Sequence, residues 1–293
     1  MAEPLSVAVR RGEIVESVHR VHAVAVRDGA VVAEAGDPAL PASLRSSAKP
    51  IQALPLARAR DDLTTDDLAI SAASHFGTPM HVEAVRALLR KTRGSEDELE
   101  CGLQPGRPPE PVYHNCSGKH AAMIAVCRAR GWPVAGYFRA DHPLQLEIAG
   151  LMADTAATAD IATGIDGCGV PCFAVPLERA AFAFSRLPGL DGGDRIAAAM
   201  RARPDLVGGD GGTDTELMRL LPGWIAKGGA EGLMCAASPD GIGLAVKVAD
   251  GNSRAIRPAL AAFGEALGLD LAPFAQVPLE NSHGEPAANL AKM

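Results

Sequence analysis

Aromatic residues are scarce in this chain, since tryptophan, tyrosine and phenylalanine together make up 4% of its 293 residues. Basic residues are also outnumbered: 28 lysines and arginines stand against 35 aspartates and glutamates, for a net charge of −7. Nucleic-acid binding needs a basic surface and usually aromatic side chains on which bases stack. The two shortages argue against a nucleic-acid partner and favour a small neutral or zwitterionic ligand.

Long hydrophobic runs and an export signal are missing as well. The apolar run 121–127 is far shorter than the roughly 18 residues of a membrane span, and Arg10, Arg11 and Glu13 occupy the place of a signal peptide's apolar core. We therefore expect no membrane partner and a cytoplasmic protein. In that compartment the six cysteines are expected to be free thiols or metal ligands rather than disulfides.

Nucleotide-binding motifs and the HExxH zinc motif are absent from the sequence. We therefore expect no nucleotide or organic cofactor.

Both ends of the chain predict antiparallel sheet. Residues 20–27 and 30–35 flank Asp28-Gly29, a turn pair typical of a type I′ hairpin. Residues 233–237 and 242–248 form a second hairpin around Pro239-Asp240-Gly241. A helix over 256–267 follows, with Ser253 as its expected N-cap and Gly268 at its end.

The middle of the chain is helical by periodicity, and the tail after Leu271 has no strong pattern. The predicted helices are 66–73, 81–91, 120–130, 144–156, 177–187, 195–203 and 214–221. Strands at both ends with helices between them predict an α+β fold. We expect one domain over 1–293, with a sheet from about 5–40 and 222–268 and a helical lobe over about 46–220.

Lysine is rare, with six in the chain, and one lysine follows serine at a spacing that suggests catalysis. In Ser46-Ser47-Ala48-Lys49, a helical turn places the Ser46 hydroxyl and the Lys49 amine on one face. A neutral, desolvated Lys49 could then take the serine proton and create a nucleophile. Taken alone, the motif fits the start of a surface helix equally well.

A second lysine motif, Lys227-Gly228-Gly229, precedes the strand at 233. Glycines there would let a substrate approach the backbone, whose N–H groups could stabilise an oxyanion; the alternative is a solvated lysine beside a turn. Ser-x-x-Lys early, Ser74 in the middle and Lys-Gly-Gly late follow the order found in serine β-lactamases and penicillin-binding proteins.

Two cysteines lie beside glycine in short polar segments. Cys116 and Lys119 belong to the string His-Asn-Cys-Ser-Gly-Lys-His over 114–120, and Cys168 follows Asp166. Two thiolates with a nitrogen or carboxylate could form a tetrahedral zinc-type site. The alternative is that both cysteines are small buried hydrophobic residues.

Several strings, in their order along the chain, resemble the thermolabile, rhizobial-type L-asparaginase II family from about residue 8 to about 260. These strings are Ser17-Val18-His19-Arg20-Val21-His22, Arg45-Ser46-Ser47-Ala48-Lys49-Pro50, Ala73-Ser74-His75, Asn115-Cys116-Ser117-Gly118-Lys119-His120, Asp166-Gly167-Cys168-Gly169-Val170-Pro171, Asp214-Thr215-Glu216-Leu217-Met218 and Ala226-Lys227-Gly228-Gly229-Ala230. The Asn-Cys-Ser-Gly-Lys-His string is long enough to be specific.

The resemblance implies a serine β-lactamase-like fold, a homodimer and the hydrolysis of L-asparagine to L-aspartate and ammonia. It implies a catalytic centre of Ser46, Lys49, Ser74 and Lys227. It also implies a zinc ion held by Cys116, Lys119 and Cys168, and we expect Arg45, His120 and Asp166 to bind substrate.

The expected chemistry is two-step acyl transfer from the amide to a serine and then to water. Either Ser46, deprotonated by Lys49, attacks directly, or Ser74 with Lys227 moves protons for it. Crowding and burial should lower the pKa of at least one lysine. The other functions considered are a glutaminase or another small-amide hydrolase, and a non-catalytic metal or amino-acid binding module.

Overall fold

The computed structural model describes residues 2–293, and its main feature is an eight-stranded antiparallel sheet. The order across the sheet is β10-β11-β1-β2-β9-β8-β7, and β3 pairs with the second half of β2. A smaller sheet has the order β4-β6-β5. The strands are β1 (Leu5–Arg11), β2 (Ile14–Arg27), β3 (Ala30–Ala35), β4 (Pro41–Ser43), β5 (Ala162–Ile165), β6 (Pro171–Pro176), β7 (Ile225–Gly229), β8 (Leu233–Ala237), β9 (Ile242–Val248), β10 (Gln276–Glu280) and β11 (Pro286–Lys292).

Most of the chain between β3 and β7 is helical, apart from β4, β5 and β6, and one more helix follows β9. They are α1 (Lys49–Gln52), α2 (Leu54–Ala59), α3 (Thr65–Ser71), α4 (Pro79–Lys91), α5 (Ser117–Arg130), α6 (Pro143–Ala156), α7 (Leu177–Arg186), α8 (Gly193–Ala202), α9 (Pro204–Val207), α10 (Thr213–Leu220) and α11 (Ile256–Glu265). The α+β prediction is confirmed, and the seven predicted helices of the middle segment are all present with small shifts at their ends.

The first predicted hairpin is confirmed by its turn. Asp28 and Gly29 have φ angles of 51° and 82°, the two positive values that a type I′ turn requires. In the second hairpin every residue of β8 is buried, so the sheet is covered on both faces at this point. Helix α7 packs on β9 at Gly243, where a Cβ would lie 1.9 Å from the carbonyl oxygen of Ala181.

Three features differ from the expectation. The tail after Leu271 contains β10 and β11, which extend the main sheet; their short runs of small and polar residues carry little hydrophobic signal. The helical middle contains β5 and β6, which pair with β4 in the small sheet. Ser253 is not the N-cap of α11: it begins a 3-10 turn at Ser253–Ala255 that leads into the helix, and this turn is capped by Asn252, whose side chain accepts a hydrogen bond from the Arg254 N–H.

The edge strand β7 lies beside a 3-10 turn at Arg45–Ala48, and this contact joins the sheet to the helical body. Gly229 makes the approach possible, since a Cβ there would lie 2.6 Å from the carbonyl oxygen of Leu44. The Ser47 hydroxyl donates a 2.8 Å hydrogen bond to the carbonyl of Lys227. Two lysine motifs that are distant in sequence are therefore neighbours.

None of the helices within residues 2–293 has both the length and the apolar character that crossing a membrane would need.

Candidate active site

A cavity of about 530 Å³ lies where β7 meets the helical body. Its wall contains three of the four predicted catalytic residues, Ser46, Ser74 and Lys227, with Lys49 buried close by. The other lining residues are Phe76, Asn115, Gly211, Gly212, Thr213, Asp214, Gly228, Gly229, Ala230, Leu233, Met234, Ser253 and Ile256. The wall is mainly glycine, hydroxyl and apolar side chains, with a single lysine and a single carboxylate.

The Lys49 amine connects the segments that form this site. Its Nζ donates hydrogen bonds to the carbonyl of Ala73 (2.6 Å), the hydroxyl of Ser74 (2.9 Å) and the carbonyl of Asn115 (3.3 Å). Among residues 2–293, none of its hydrogen bonds reaches Ser46. The lysine of the Ser-x-x-Lys motif is thus bound to the second serine and not to the serine of its own motif.

Burial lowers the pKa of Lys49 to about 8, because the charged amine is removed from water. The Cys116 thiolate opposes this change, and the positive charges of Lys119 and Lys227 reinforce it. The expectation that crowding and burial lower one lysine pKa is met at this residue. A substantial neutral fraction of the amine can then act as a base near neutral pH.

Ser46 is half-buried on the cavity wall and follows a residue of unusual backbone geometry. Arg45 has a φ of 46°, in the left-handed region that arginine rarely adopts. Its guanidinium donates a 2.6 Å hydrogen bond to Asp166. The ion pair anchors the turn that carries Ser46 to the hairpin between β5 and β6.

Lys227 is almost fully buried and pairs with a carboxylate instead of Ser74. Its Nζ lies 2.9 Å from Asp214 Oδ2 and 3.0 Å from the carbonyl of Gly228. Among residues 2–293 no hydrogen bond joins Lys227 to Ser74. In this structure Ser74 is hydrogen-bonded to Lys49, and Lys227 to Asp214.

Cys116, Lys119 and Cys168 come together in one buried cluster beside α5. The Lys119 amine donates a 3.2 Å hydrogen bond to Cys168 Sγ, and a hydrogen bond from Cys168, with the nearby ammonium groups, lowers the pKa of Cys116 well below its usual value. The same hydrogen bond, together with burial, raises the pKa of Cys168. The result is a buried cluster of one thiolate, one thiol and one amine, in which Cys168 contacts both Lys119 and Cys116.

This donor set fits a zinc-type ion, since zinc binds two sulfurs and a nitrogen in tetrahedral geometry with a position left for another ligand. Binding would require Cys168 and Lys119 to lose their protons. Within the described residues 2–293, no group of three or more His, Cys, Asp or Glu side chains could hold a metal ion. A metal here depends on the unusual lysine ligand.

The three residues expected to bind substrate do not line the cavity. Arg45 and Asp166 are paired with each other. His120 is fully buried in α5, where its Nδ1 shares a 2.7 Å hydrogen bond with the Tyr137 hydroxyl. Burial lowers the pKa of His120 well below its usual value, so its ring is neutral, and its Nε2 is buried without a partner among residues 2–293.

Sequence reasoning gave no role to Asp214, although its string was part of the family resemblance. The signal that could have found it is a rule of pairing: a buried lysine needs a counter-charge. Asn115 was missed for another reason. Its contact with Lys49 is through the backbone carbonyl, which every residue type has, so the sequence cannot indicate it.

At this cavity a serine hydroxyl is hydrogen-bonded to an amine whose pKa is lowered. This arrangement is typical of hydrolases that use a serine as nucleophile. The L-asparaginase II family matches residues 7–291, and the chain belongs to that family. The resemblance noted in the sequence is confirmed. The family makes this protein an amidohydrolase that acts on a small-molecule amide.

No curated protein matches this sequence. Solved structures that are similar to the chain include a protein described as Mglu in its native form, with 16% identity, coverage of 86% of this chain and 66% of that one, and a TM-score of 0.48. A β-lactamase from Mycobacterium bovis has 16% identity, coverage of 87% and 94%, and a TM-score of 0.37. A mutant of the simvastatin synthase LovD from Aspergillus terreus has 14% identity, coverage of 87% and 90%, and a TM-score of 0.34.

Proposed function

We propose that the protein hydrolyses L-asparagine to L-aspartate and ammonia through an ester formed on a serine. The observation that carries this proposal is the position of Lys49, which is buried, has a pKa of about 8 and lies 2.9 Å from Ser74 Oγ at the cavity. A neutral amine at that distance can accept the proton of a serine hydroxyl. Family membership supports an amide as the bond that is broken.

Ser46 is the serine that we propose becomes acylated. It lies on the cavity wall at the start of a 3-10 turn, where the first backbone N–H groups have no partner within the turn. Ser74 is already engaged with Lys49, which suits a residue that passes protons. The left-handed backbone of Arg45 shapes the turn immediately before Ser46.

The proposed first step forms the ester. Ser46 Oγ attacks the side-chain amide carbon while its proton passes to Ser74 Oγ and the Ser74 proton passes to Lys49 Nζ. The negative charge on the amide oxygen is stabilised by backbone N–H groups of Ser46 and of the segment at Gly228. Lys49 then returns the proton through Ser74 to the leaving nitrogen, which departs as ammonia. Water hydrolyses the ester by the same relay, so that the enzyme regains its starting state.

We further propose that Cys116, Lys119 and Cys168 hold a zinc ion near the substrate. When bound, the ion would supply a fixed positive charge that orients a polar group of the amino acid. Lys49 and Ser74 already provide for proton transfer, so the chain needs no metal-bound hydroxide. Arg45, Asp166 and His120 remain predicted substrate-binding residues, acting through the hairpin and helix that carry the cluster.

An ammonia-release assay on L-asparagine, with the wild type and Ser46→Ala, tests the proposal. Ser253→Ala is the matched control, because Ser253 lines the same cavity outside the hydrogen bonds of Lys49. Trapping the ester in acid and mapping the modified peptide identifies the acylated residue. An ester on Ser74 would reassign the nucleophile, whereas tight binding of asparagine with no ammonia would favour the binding module.

Rates on L-glutamine, measured in the same assay, decide between the two enzyme functions. We expect asparagine to be preferred, and a higher kcat/KM for glutamine would make the protein a glutaminase.

We also propose that the protein is a cytoplasmic homodimer, on the basis of the family resemblance and of the frequency of two-fold assemblies. Light scattering at micromolar concentration should give twice the mass of one chain, and cell fractionation should recover the activity with the cytoplasm.

A further inference from the structure

The carboxylate of Asp214 is held beside Lys227 by a set of contacts that leaves it little freedom. Its Oδ2 accepts hydrogen bonds from the Lys227 amine and, at 3.4 Å, from the Gly228 N–H, while Oδ1 accepts from the Thr215 N–H at 3.1 Å. Gly208 gives it room, since a Cβ at that position would lie 2.4 Å from Oδ1. The aspartate is thus fixed at the first turn of α10, beside the Lys227 amine, and both residues line the cavity.

Three buried lysines meet around this site, and their counter-charges differ. Lys119 lies beside the Cys168 thiol and the Cys116 thiolate of the cysteine cluster. Lys227 has the Asp214 carboxylate. Lys49 donates hydrogen bonds only to neutral groups, two carbonyls and a hydroxyl, and the Cys116 thiolate acts on it only through space. Like charges that share a low-dielectric site compete for the charged state, so Lys49, which makes no hydrogen bond to an anion, is the one that loses its proton first.

We propose that Asp214 is a positioning residue that keeps Lys227 in the ammonium form, and that it thereby makes Lys49 the base of the site. This inference rests on the proposed function. Of the three N–H donors of Lys227, one goes to Asp214 and one to the Gly228 carbonyl, and the third is free for an anionic group of the substrate in the cavity. Without the carboxylate, Lys227 and Lys49 would compete for the role of base.

The pKa of Asp214 agrees with this role. Burial opposes ionisation of the carboxyl, but the charge and hydrogen bond of Lys227 outweigh it and lower the pKa below the usual value. Four elements pack on β7, the strand of Lys227, and three of them carry a charged or titratable group near it. These groups are Asp214 on α10, Arg45 on the turn at Arg45–Ala48 and Cys235 opposite Lys227 on β8. The fourth element, α8, buries mainly apolar side chains. The charge of Lys227 in turn lowers the pKa of Lys49 through space.

A lysine-labelled NMR titration tests the inference without using enzyme activity. The six lysines of the chain give few signals, and the pH at which each loses its proton can be followed in the wild type, in Asp214→Asn and in Glu216→Gln. Glu216 is the matched control, because it lies on the same helix and pairs with Arg219. We expect Lys227 to lose its proton about one pH unit or more lower in Asp214→Asn, and at an unchanged pH in Glu216→Gln.

An unchanged Lys227 midpoint in folded Asp214→Asn would overturn the inference. If that variant does not fold, the wild type alone decides: Lys49 must lose its proton at lower pH than Lys227, and the reverse order refutes the proposal. In the asparagine assay we expect the alkaline limb of kcat/KM to move down by a similar amount in Asp214→Asn, which a merely structural aspartate would not cause. Absence of ammonia in every variant would refute the proposed function but leave the titration result standing.

Discussion

Gly118, near the start of α5, lies directly against the carbonyl oxygen of Ile70 in α3, where a Cβ would stand 2.1 Å from that oxygen. The contact brings the end of α3, which leads to Ser74, against the helix that starts beside Cys116 and contains Lys119. Because backbone atoms form the contact, neither helix can yield without moving the chain. One glycine therefore sets the spacing between the serine and the cysteine cluster.

Gly118→Ala should lower the free energy of unfolding by about 1–3 kcal/mol, because the added methyl group overpacks the α3–α5 contact. Gly150→Ala is the matched control: Gly150 also lies within a helix, but a Cβ there meets no atom within 4 Å. The control should gain roughly 0.5–1 kcal/mol from helix propensity. Urea denaturation measures both, and equal effects would show that the close contact is not real.

Ser46→Ala and Ser74→Ala should each lower kcat on asparagine by about 10³-fold or more, because residues that act as one relay fail together. The double variant should be little worse than either single variant. Steady-state ammonia release measures the rates, with circular dichroism as the check of folding. A Ser46→Ala enzyme of normal activity would eliminate Ser46 as the nucleophile.

The kcat/KM for asparagine should rise with pH between 6 and 9. Activity requires neutral Lys49, and with a pKa of about 8 the neutral fraction increases about fivefold from pH 7 to pH 8. Lys49→Arg should abolish activity at every pH, since guanidinium does not give up its proton. Lys91→Arg, at a lysine paired with Asp67, is the control and should retain the wild-type profile.

Lys227→Met should cost about 3–5 kcal/mol of stability at pH 7, because it leaves the Asp214 carboxylate buried without its partner. The wild-type pair stabilises the fold above the unfolded pKa of Asp214, and this contribution is lost as pH falls through the lowered folded value. In Lys227→Met the buried carboxyl has lost its counter-charge and should take up a proton above its unfolded pKa, so the variant's deficit should shrink as the pH falls from 7 to 4. Chemical denaturation at both pH values, with Asp214→Asn/Lys227→Met as the partly rescued double variant, measures it.

Zinc should be found at about one ion per chain by elemental analysis, and its removal should raise KM for asparagine much more than it lowers kcat. Cys116→Ala should have the same effect, whereas Cys127→Ala, at a buried cysteine outside the cluster, should retain the metal. Affinity should weaken below neutral pH as protons compete for the ligands. Full activity without any metal would show that the two cysteines are buried packing residues and not metal ligands.

The sequence predicted what depends on local chemistry and missed what depends on tertiary contact. The Asp28-Gly29 turn and the amphipathic helices carry their conformations in short segments. Strands β5 and β6 do not, since β5 is exposed along its length and is a strand only because β6 lies beside it. The same holds at the site, where the lysine motifs can be recognised in the sequence but their partners cannot. Tertiary contacts pair Lys49 with Ser74 and Lys227 with Asp214.

The pairing of β2 with β9 joins segments more than two hundred residues apart, Val21 opposite Val248 and Arg27 opposite Ile242. Closing a chain loop of that size is slow compared with the formation of helices. Because β8 and β9 join β7 to β2 in the sheet, we expect the turn with Ser46 to meet β7 as this pairing forms, so during refolding the helical signal should return well before any turnover does. The return of activity during refolding therefore reports when this long-range strand pairing forms.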